Sequence, residues 1–215
     1  MIKTPWGYSL TEAKNLPNFL TDAEFALFTN NKFSANDSRI TQNIPSATRA
    51  IQNYCGWHIY PNLECEMVYR VLDLRDSFVG PDLFIQLPAT FVSDVTSILL
   101  NATKIGDVWT GEPIADFDLE ESGLLRIYDI GYFDRRTKLR IVYNAGVDNS
   151  QMDLIKELVA HRVVHAVSSS YGVMSETAGS VSVSYNAAWA GNTRSTALPD
   201  DNKEILSPYK LRGVF

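Results

Sequence analysis

The chain has 215 residues, with 19 Lys and Arg against 25 Asp and Glu for a formal net charge of −6; 45% of its residues are hydrophobic and 11% aromatic. That composition excludes collagen-like, low-complexity and disordered classes, because burial of branched and aromatic side chains can offset chain entropy. An acidic balance also argues against grasping a nucleic-acid backbone, while leaving room for a wall past which DNA slides without sticking. At this length one domain with an inserted lobe is expected, burying about 70% of the unfolded surface.

No stretch approaches the roughly 18 consecutive apolar residues of a membrane-spanning helix. The opening Met-Ile-Lys-Thr-Pro-Trp lacks the basic start and apolar middle of a secretory signal, so the chain reads as made and kept in the cytoplasm. Cys55 and Cys65 have no second pair, so neither a disulfide framework nor a four-cysteine zinc site can be built; reduced, partly buried thiols are expected.

Residues 1–33 mix Pro5, Pro17, Asn30 and Asn31 with short apolar bursts. Thr21-Asp22-Ala23-Glu24 sets a capping residue before Phe25, Leu27 and Phe28, which predicts one short helix in an otherwise irregular arm. From Asn36 to Tyr54, the residues Ile40, Ile44, Ala47, Ile51 and Tyr54 recur at helical spacing, with Gly56 as a left-handed stop. Pro45 inside that run either kinks the helix or marks its true start. Between Glu64 and Ala145 the period falls to two. Strands are predicted over 65–71, 83–87, 92–100, 123–128 and 138–143, divided by Gly80-Pro81, Pro88, Gly106, Gly111 to Pro113 and Gly131. Asn149 or Ser150 then caps a helix to about Ser170 whose stripe is Ile155, Leu158, Val159, Val163, Ala166 and Val167. Ser180 to Tyr185 alternates strictly and reads as a strand or extended arm, and Pro199-Asp200-Asp201 opens a last short helix with Ile205 and Leu206.

Candidate chemistry is sparse. Glu157, His161 and His165 stack on one helix face at the spacing of a divalent-metal site, the basis for reading a small metal-dependent hydrolase. A zinc protease helix would carry a Glu directly after the first His, where Arg162 stands instead. Cys55 with His58 suggests a thiolate and imidazole, yet no oxyanion donor or third member accompanies them. No glycine cluster precedes a Lys-Ser or Lys-Thr pair, which disfavours nucleotide hydrolysis. Asp116 with Asp118 and Glu120 with Glu121 read as a solvated turn. Trp109, Tyr132 and Phe133 would be the stacking residues of a carbohydrate or host-surface binding module, with a sheet core as the plainer reading. No catalytic residue, metal ligand or cofactor site is assigned, and a non-enzymatic protein is expected.

The order of segments says more. Ala47-Thr48-Arg49-Ala50-Ile51-Gln52-Asn53-Tyr54-Cys55-Gly56-Trp57-His58-Ile59-Tyr60-Pro61 resembles the first core helix of tailed-bacteriophage head-to-tail connector proteins, also called adaptors or head-completion proteins. The resemblance continues through Leu87-Pro88, Val95 to Ile98, Ser122 to Leu125, Leu139 to Gly146, Met174 to Tyr185 and Ile205 to Leu211, spanning about residues 36–212. The long first arm, residues 1–35, departs from the family pattern.

The resemblance implies an α+β fold. Its parts would be a small helical bundle core (36–60 and 149–215), an antiparallel β lobe inserted at about 64–146, and extended terminal arms. It further implies a virion neck protein, present in host cytoplasm during assembly, that docks on the portal protein. There it would form a homo-oligomeric ring, twelve-fold by default, which continues the DNA channel and offers its far face to a tail-completion or stopper protein. DNA would pass without sequence-specific binding. The expected partner-binding residues are Val181, Val183 and Tyr185, on a strand that adds to a neighbouring subunit, and Tyr209, Leu211 and Phe215, on a tail that orders only on a partner. Removing residues 208–215 would then leave the fold intact.

Overall fold

The computed structural model describes residues 2–11, 15–34, 37–120, 122–130, 137–168, 175–178, 181–184 and 200–211. In chain order the elements are β1 (Ile2–Lys3), β2 (Ser9–Leu10), α1 (Asp22–Phe28), α2 (Ser38–Cys55), β3 (Leu63–Arg70), a 3-10 segment (Val71–Ser77), β4 (Phe78–Val79) and β5 (Asp82–Gln86). They continue with β6 (Val92–Ile105), β7 (Val108–Pro113), β8 (Phe117–Leu119), β9 (Leu124–Ile127), β10 (Lys138–Ala145), α3 (Asp153–Ser168), β11 (Ser175–Ala178), β12 (Val181–Ser184) and α4 (Asp200–Ile205), with 3-10 turns at Asn149–Gln151 and Ser207–Tyr209. The fold class is α+β.

Two compact units are present. The β unit comprises residues 1–16, 56–148 and 209–215, and the helical unit residues 17–55 and 149–208. In the β unit a six-stranded antiparallel sheet runs β1-β2-β3-β10-β6-β7, and a four-stranded sheet runs β4-β5-β9-β8. β10 is the centre of the larger sheet, and its Leu139, Ile141, Val142, Tyr143 and Ala145 are all buried. The N-terminal residues are therefore not an irregular arm. Residues 2–3 and 9–10 extend the sheet at β3, through Ser9↔Glu66 and Leu10↔Cys65, and only the residues from Pro17 onward join the helical unit.

β6 is longer than its period suggested, because from Thr103 to Ile105 it pairs with β7 alone, closing through Gly106-Asp107. Gly106, at φ +62°, supplies the first central position of this two-residue hairpin turn. β7 was hidden by Gly111 and Pro113, which read as turn punctuation; both are tolerated on an edge strand, where a missing ladder donor faces solvent. β1, β2 and β4 are two-residue strands, too short to show any period.

In the helical unit α1 opens with the expected capping box. The Glu24 N–H donates to the Thr21 hydroxyl (3.2 Å) and the Thr21 N–H to the Glu24 carboxylate (2.8 Å). Glu24 also pairs with Lys156 of α3 at 2.7 Å. α2 starts at Ser38, with the Asp37 carboxylate accepting the Arg39 N–H at 2.9 Å, so Pro45 lies inside the helix and does not mark its start. Ile40, Ile44, Ala47 and Ile51 are buried as their spacing requires, and α2 packs against α3 through the face bearing Ile155, Leu158, Val159 and Val163. Ala166, assigned to that stripe by spacing, is exposed, and Val167 is half-buried. Gly56 ends α2 at φ +83°, the left-handed conformation that a side chain resists.

The core of the β unit is organised by the residues that follow. Trp57, fully buried, stacks on Phe91 (centroids 6.2 Å, interplanar angle 20°) and meets the edge of His58 at 5.5 Å. The His58 Nε2 lies 3.0 Å from the Ala145 carbonyl and 3.1 Å from the Pro61 carbonyl. Both are acceptors, so the proton sits on Nε2, and Nδ1 accepts the Tyr8 hydroxyl proton at 2.7 Å. The same Tyr8 oxygen accepts the His58 backbone N–H at 3.1 Å. Burial raises the Tyr8 phenol well above its ordinary value and pushes the His58 imidazole down to about 4, the carbonyl hydrogen bonds only partly opposing it.

Two predictions come from this region. Gly146 holds φ +139°, and a Cβ there would lie 2.3 Å from the Pro61 carbonyl oxygen, so Gly146→Ala should destabilise the protein by about 3 kcal/mol in urea unfolding. The unfolded imidazole, with a pKa of 6.5, binds its proton before the folded one at about 4. Stability from His58 is thus complete above pH 6.5 and is lost as pH falls toward 4, a change of about 3 kcal/mol. In His58→Gln the urea midpoint should fall less over that window than in the parent, and identical pH profiles would count against the assignment.

Candidate partner-binding surfaces

The sequence-predicted residues fall into two places. Val181 and Val183 lie on β12, which pairs antiparallel with β11 through Val181↔Ala178 and Val183↔Glu176 to form a separate two-stranded sheet. Tyr185 and Phe215 lie outside the described residues, as do Tyr132 and Phe133.

Tyr209 and Leu211 are built into the β unit. The Trp57 indole N–H donates to the Tyr209 carbonyl at 2.6 Å, the Tyr209 ring lies 5.4 Å from Phe91, and Leu211 covers Gly56, where its Cδ1 would stand 3.3 Å from an added Cβ. Both residues are half-buried. The tail up to Leu211 is therefore ordered on its own chain, because Trp57 needs an acceptor for a donor that burial has taken from water.

Glu157, His161 and His165 do share one face of α3, as their spacing requires. His161 Nε2 lies 3.4 Å from Glu157 Oε1, and its ring meets Phe28 edge-on at 5.5 Å. Among the described residues no group of three His, Cys, Asp or Glu side chains converges as metal ligands. The three line a groove of about 560 Å³ together with Leu154, Leu158, Val164, Asn202 and Ile205. This groove belongs wholly to the helical unit. Leu154 is 56% exposed, and Leu27, next to Phe28, is 71% exposed, so α3 and α1 both turn apolar side chains outward.

The remaining candidates are structural. Cys55 and Cys65 are buried and unbridged, and burial pushes the Cys65 thiol up to about 12, which keeps it protonated and inert. His58 spends both ring nitrogens on Tyr8, Pro61 and Ala145. Trp109 is half-buried between two cations, with the Arg140 guanidinium 5.3 Å and the Lys104 ammonium 5.8 Å from its ring. Asp118 accepts the Tyr128 hydroxyl, whose neighbour Arg126 pairs with Asp82 at 2.6 Å.

Sequence patterning missed two surfaces. The β6–β7 hairpin tip exposes Ile105 (68%) and Val108 (64%), and Arg70 stands directly opposite Lys138 on β3 and β10. Period-two alternation could not find the second, since cross-strand register is not written in either strand alone.

What these surfaces offer is contact: exposed apolar side chains, a small hairpin and unneutralised cations, the equipment of a protein that binds other proteins. The sequence model of the head completion protein family matches residues 18–211, and the chain belongs to that family. No curated protein matches the sequence. Its role is structural, in bacteriophage head assembly, and its place is the virion. The match includes α1, so the family pattern begins before residue 36, and among the described residues β1, β2 and Tyr8 precede it.

Truncation after Pro208 should expose Trp57 and leave its N–H without an acceptor. Urea unfolding should show a loss of about 3 kcal/mol, with red-shifted tryptophan emission in the native baseline; unchanged stability would mean that the tail does not hold Trp57.

Proposed function

We propose that this protein is a head-to-tail connector subunit that docks on the portal, assembles as a ring continuing the DNA channel, and links the DNA-filled head to a tail-completion or stopper protein. The observation that carries the reading is the family match, which takes in the helices of one unit and the sheets of the other. Supporting it, the chain carries a net charge of −6, and like charge lets a conduit wall pass a duplex without trapping it.

The β11–β12 hairpin supports the ring. A two-stranded sheet is marginal alone and, among the described residues, pairs with no third strand, so each edge offers main-chain groups to a neighbouring subunit. Val181 and Val183 would pack on that neighbour, with Tyr185 following them in sequence. Tyr209 and Leu211 keep part of their surface for contact after serving Trp57, and Phe215 continues the apolar series in the sequence.

The test is purification of the tagged chain from infected or induced cells, with mass spectrometry and negative-stain imaging of what accompanies it. Portal protein and rings at the neck of DNA-filled heads are expected. Val181→Asp with Val183→Asp should leave a folded subunit that no longer forms rings, because ring contact would bury the new carboxylates. A tagged chain recovered alone from DNA-filled heads, or rings unaffected by both substitutions, would overturn the portal and hairpin readings respectively.

A further inference from the structure

At one end of the six-stranded sheet three cations lie without a carboxylate partner among the described residues. Lys138 and Arg70 are directly opposed on β10 and β3, and Lys104 faces Trp109 at the base of the β6–β7 tip. All three are exposed. Like charges in direct cross-strand register are destabilising, and a strand pair that keeps them retains a site whose repulsion an incoming anion would relieve. Neighbouring Arg140 shows the contrast: it has its own acid, Glu66, at 2.6 Å, both largely buried, and so brings no free charge.

The opposite surface is also on this chain. From Asp107 to Glu121 the sequence holds six carboxylates, and no Lys or Arg stands between Lys104 and Arg126. Asp107, Glu112, Asp116, Asp118 and Glu120 are exposed, and none of them forms a salt bridge among the described residues. They follow the edge strands β7 and β8, the last strands of their two sheets.

We infer that the Arg70, Lys138 and Lys104 surface docks the acidic β7–β8 edge of a second copy of this chain. The inference deepens the ring reading and rests on it. Two different surfaces in contact give a head-to-tail interface, which propagates from copy to copy and closes into a ring when the rotation permits. Nucleic acid is the less suitable anion, because an acidic edge within the same unit would repel the duplex that the cations attract. Val68, 40% exposed and in register with Arg140, gives the basic surface an apolar centre.

Charge exchange tests it. The full chain, mixed as normal-isotope and nitrogen-15 forms and placed on connector-free heads, is treated with a zero-length carbodiimide, which joins amines only to carboxylates in direct contact. Mixed-isotope peptides linking Lys138 or Lys104 to residues 107–121 are expected. Arg70→Glu with Lys138→Glu, and separately Asp116→Lys with Glu120→Lys, should each weaken self-association on connector-free heads about tenfold at 50 mM salt. An equimolar mixture of the two variants should regain it, an outcome that a folding defect in either variant cannot produce. Rings on heads without mixed-isotope links at these lysines would overturn the contact and leave the ring reading standing. Absence of the wild-type chain from heads and of any self-association would overturn both. Salt-sensitive binding of duplex DNA by wild type, lost in Arg70→Glu with Lys138→Glu, would assign the cations to nucleic acid and overturn the second-copy partner.

Discussion

The β unit is held by one neutral imidazole. The His58 Nε2 lies against two backbone carbonyls and its Nδ1 against a phenol, so these buried polar atoms satisfy one another. Removing any member leaves a desolvated partner, which makes such a cluster more costly to break than to form. The polypeptide around it is correspondingly constrained. Ile59 adopts φ +65°, unfavourable for a β-branched residue, in a tight turn closed by the Tyr60 N–H on the His58 carbonyl. The Val147 N–H on the Ile59 carbonyl (2.8 Å) and the Gly146 N–H on the Phe91 carbonyl (3.0 Å) hold that turn from outside. Segments distant in sequence, around Tyr8, Trp57, Phe91, Ala145 and Tyr209, are thereby fixed to one another.

This arrangement explains the sequence around it. A helix exit written Cys-Gly-Trp-His reads as a reactive thiol beside a base, but Cys55 is buried and unbridged, and the His58 imidazole is held neutral by burial and hydrogen-bonded at both ring nitrogens. The histidine of that apparent pair acts as a joint. Tyr8 completes that joint from a segment preceding the family match, which gives the first residues of the chain a structural task that no motif announces.

Legibility in the sequence followed the strength of periodic signals. α2 and the central strand β10 were readable because one side is buried along their length, so burial and period coincide. Edge elements were not. β7 contains Gly111 and Pro113, and β8, β11 and the two-residue strands carry too few apolar residues for a period to emerge. On α3 the apolar stripe was overextended at Ala166 and Val167, since helical spacing cannot say where a packing partner stops. The tail was misjudged for a related reason. Tyr209 and Leu211 look unpartnered beside a chain end, and only the tertiary position of Trp57 supplies the donor that makes Tyr209 necessary. The surface sites were harder still, because an exposed cation on one strand becomes informative only when register sets another cation opposite it.

The charges show how a weak contact can suffice for assembly. Most strong pairs are used internally: Arg140 with Glu66 under Trp109, Arg126 with Asp82 under Tyr128, Lys156 with Glu24 between helices. What remains outside is of one sign along β7 and β8 and of the other at the ends of β3 and β10. Each exposed pair formed between such surfaces is worth at most about 1 kcal/mol and is screened by salt, too little to hold two free subunits. In a closed array every subunit makes the contact twice, and copies already seated on a common base meet at high effective concentration, so the same small energy is multiplied. In the proposed ring, charges of this kind would hold free subunits together only weakly and would commit them to their neighbours where a shared platform gathers the copies together.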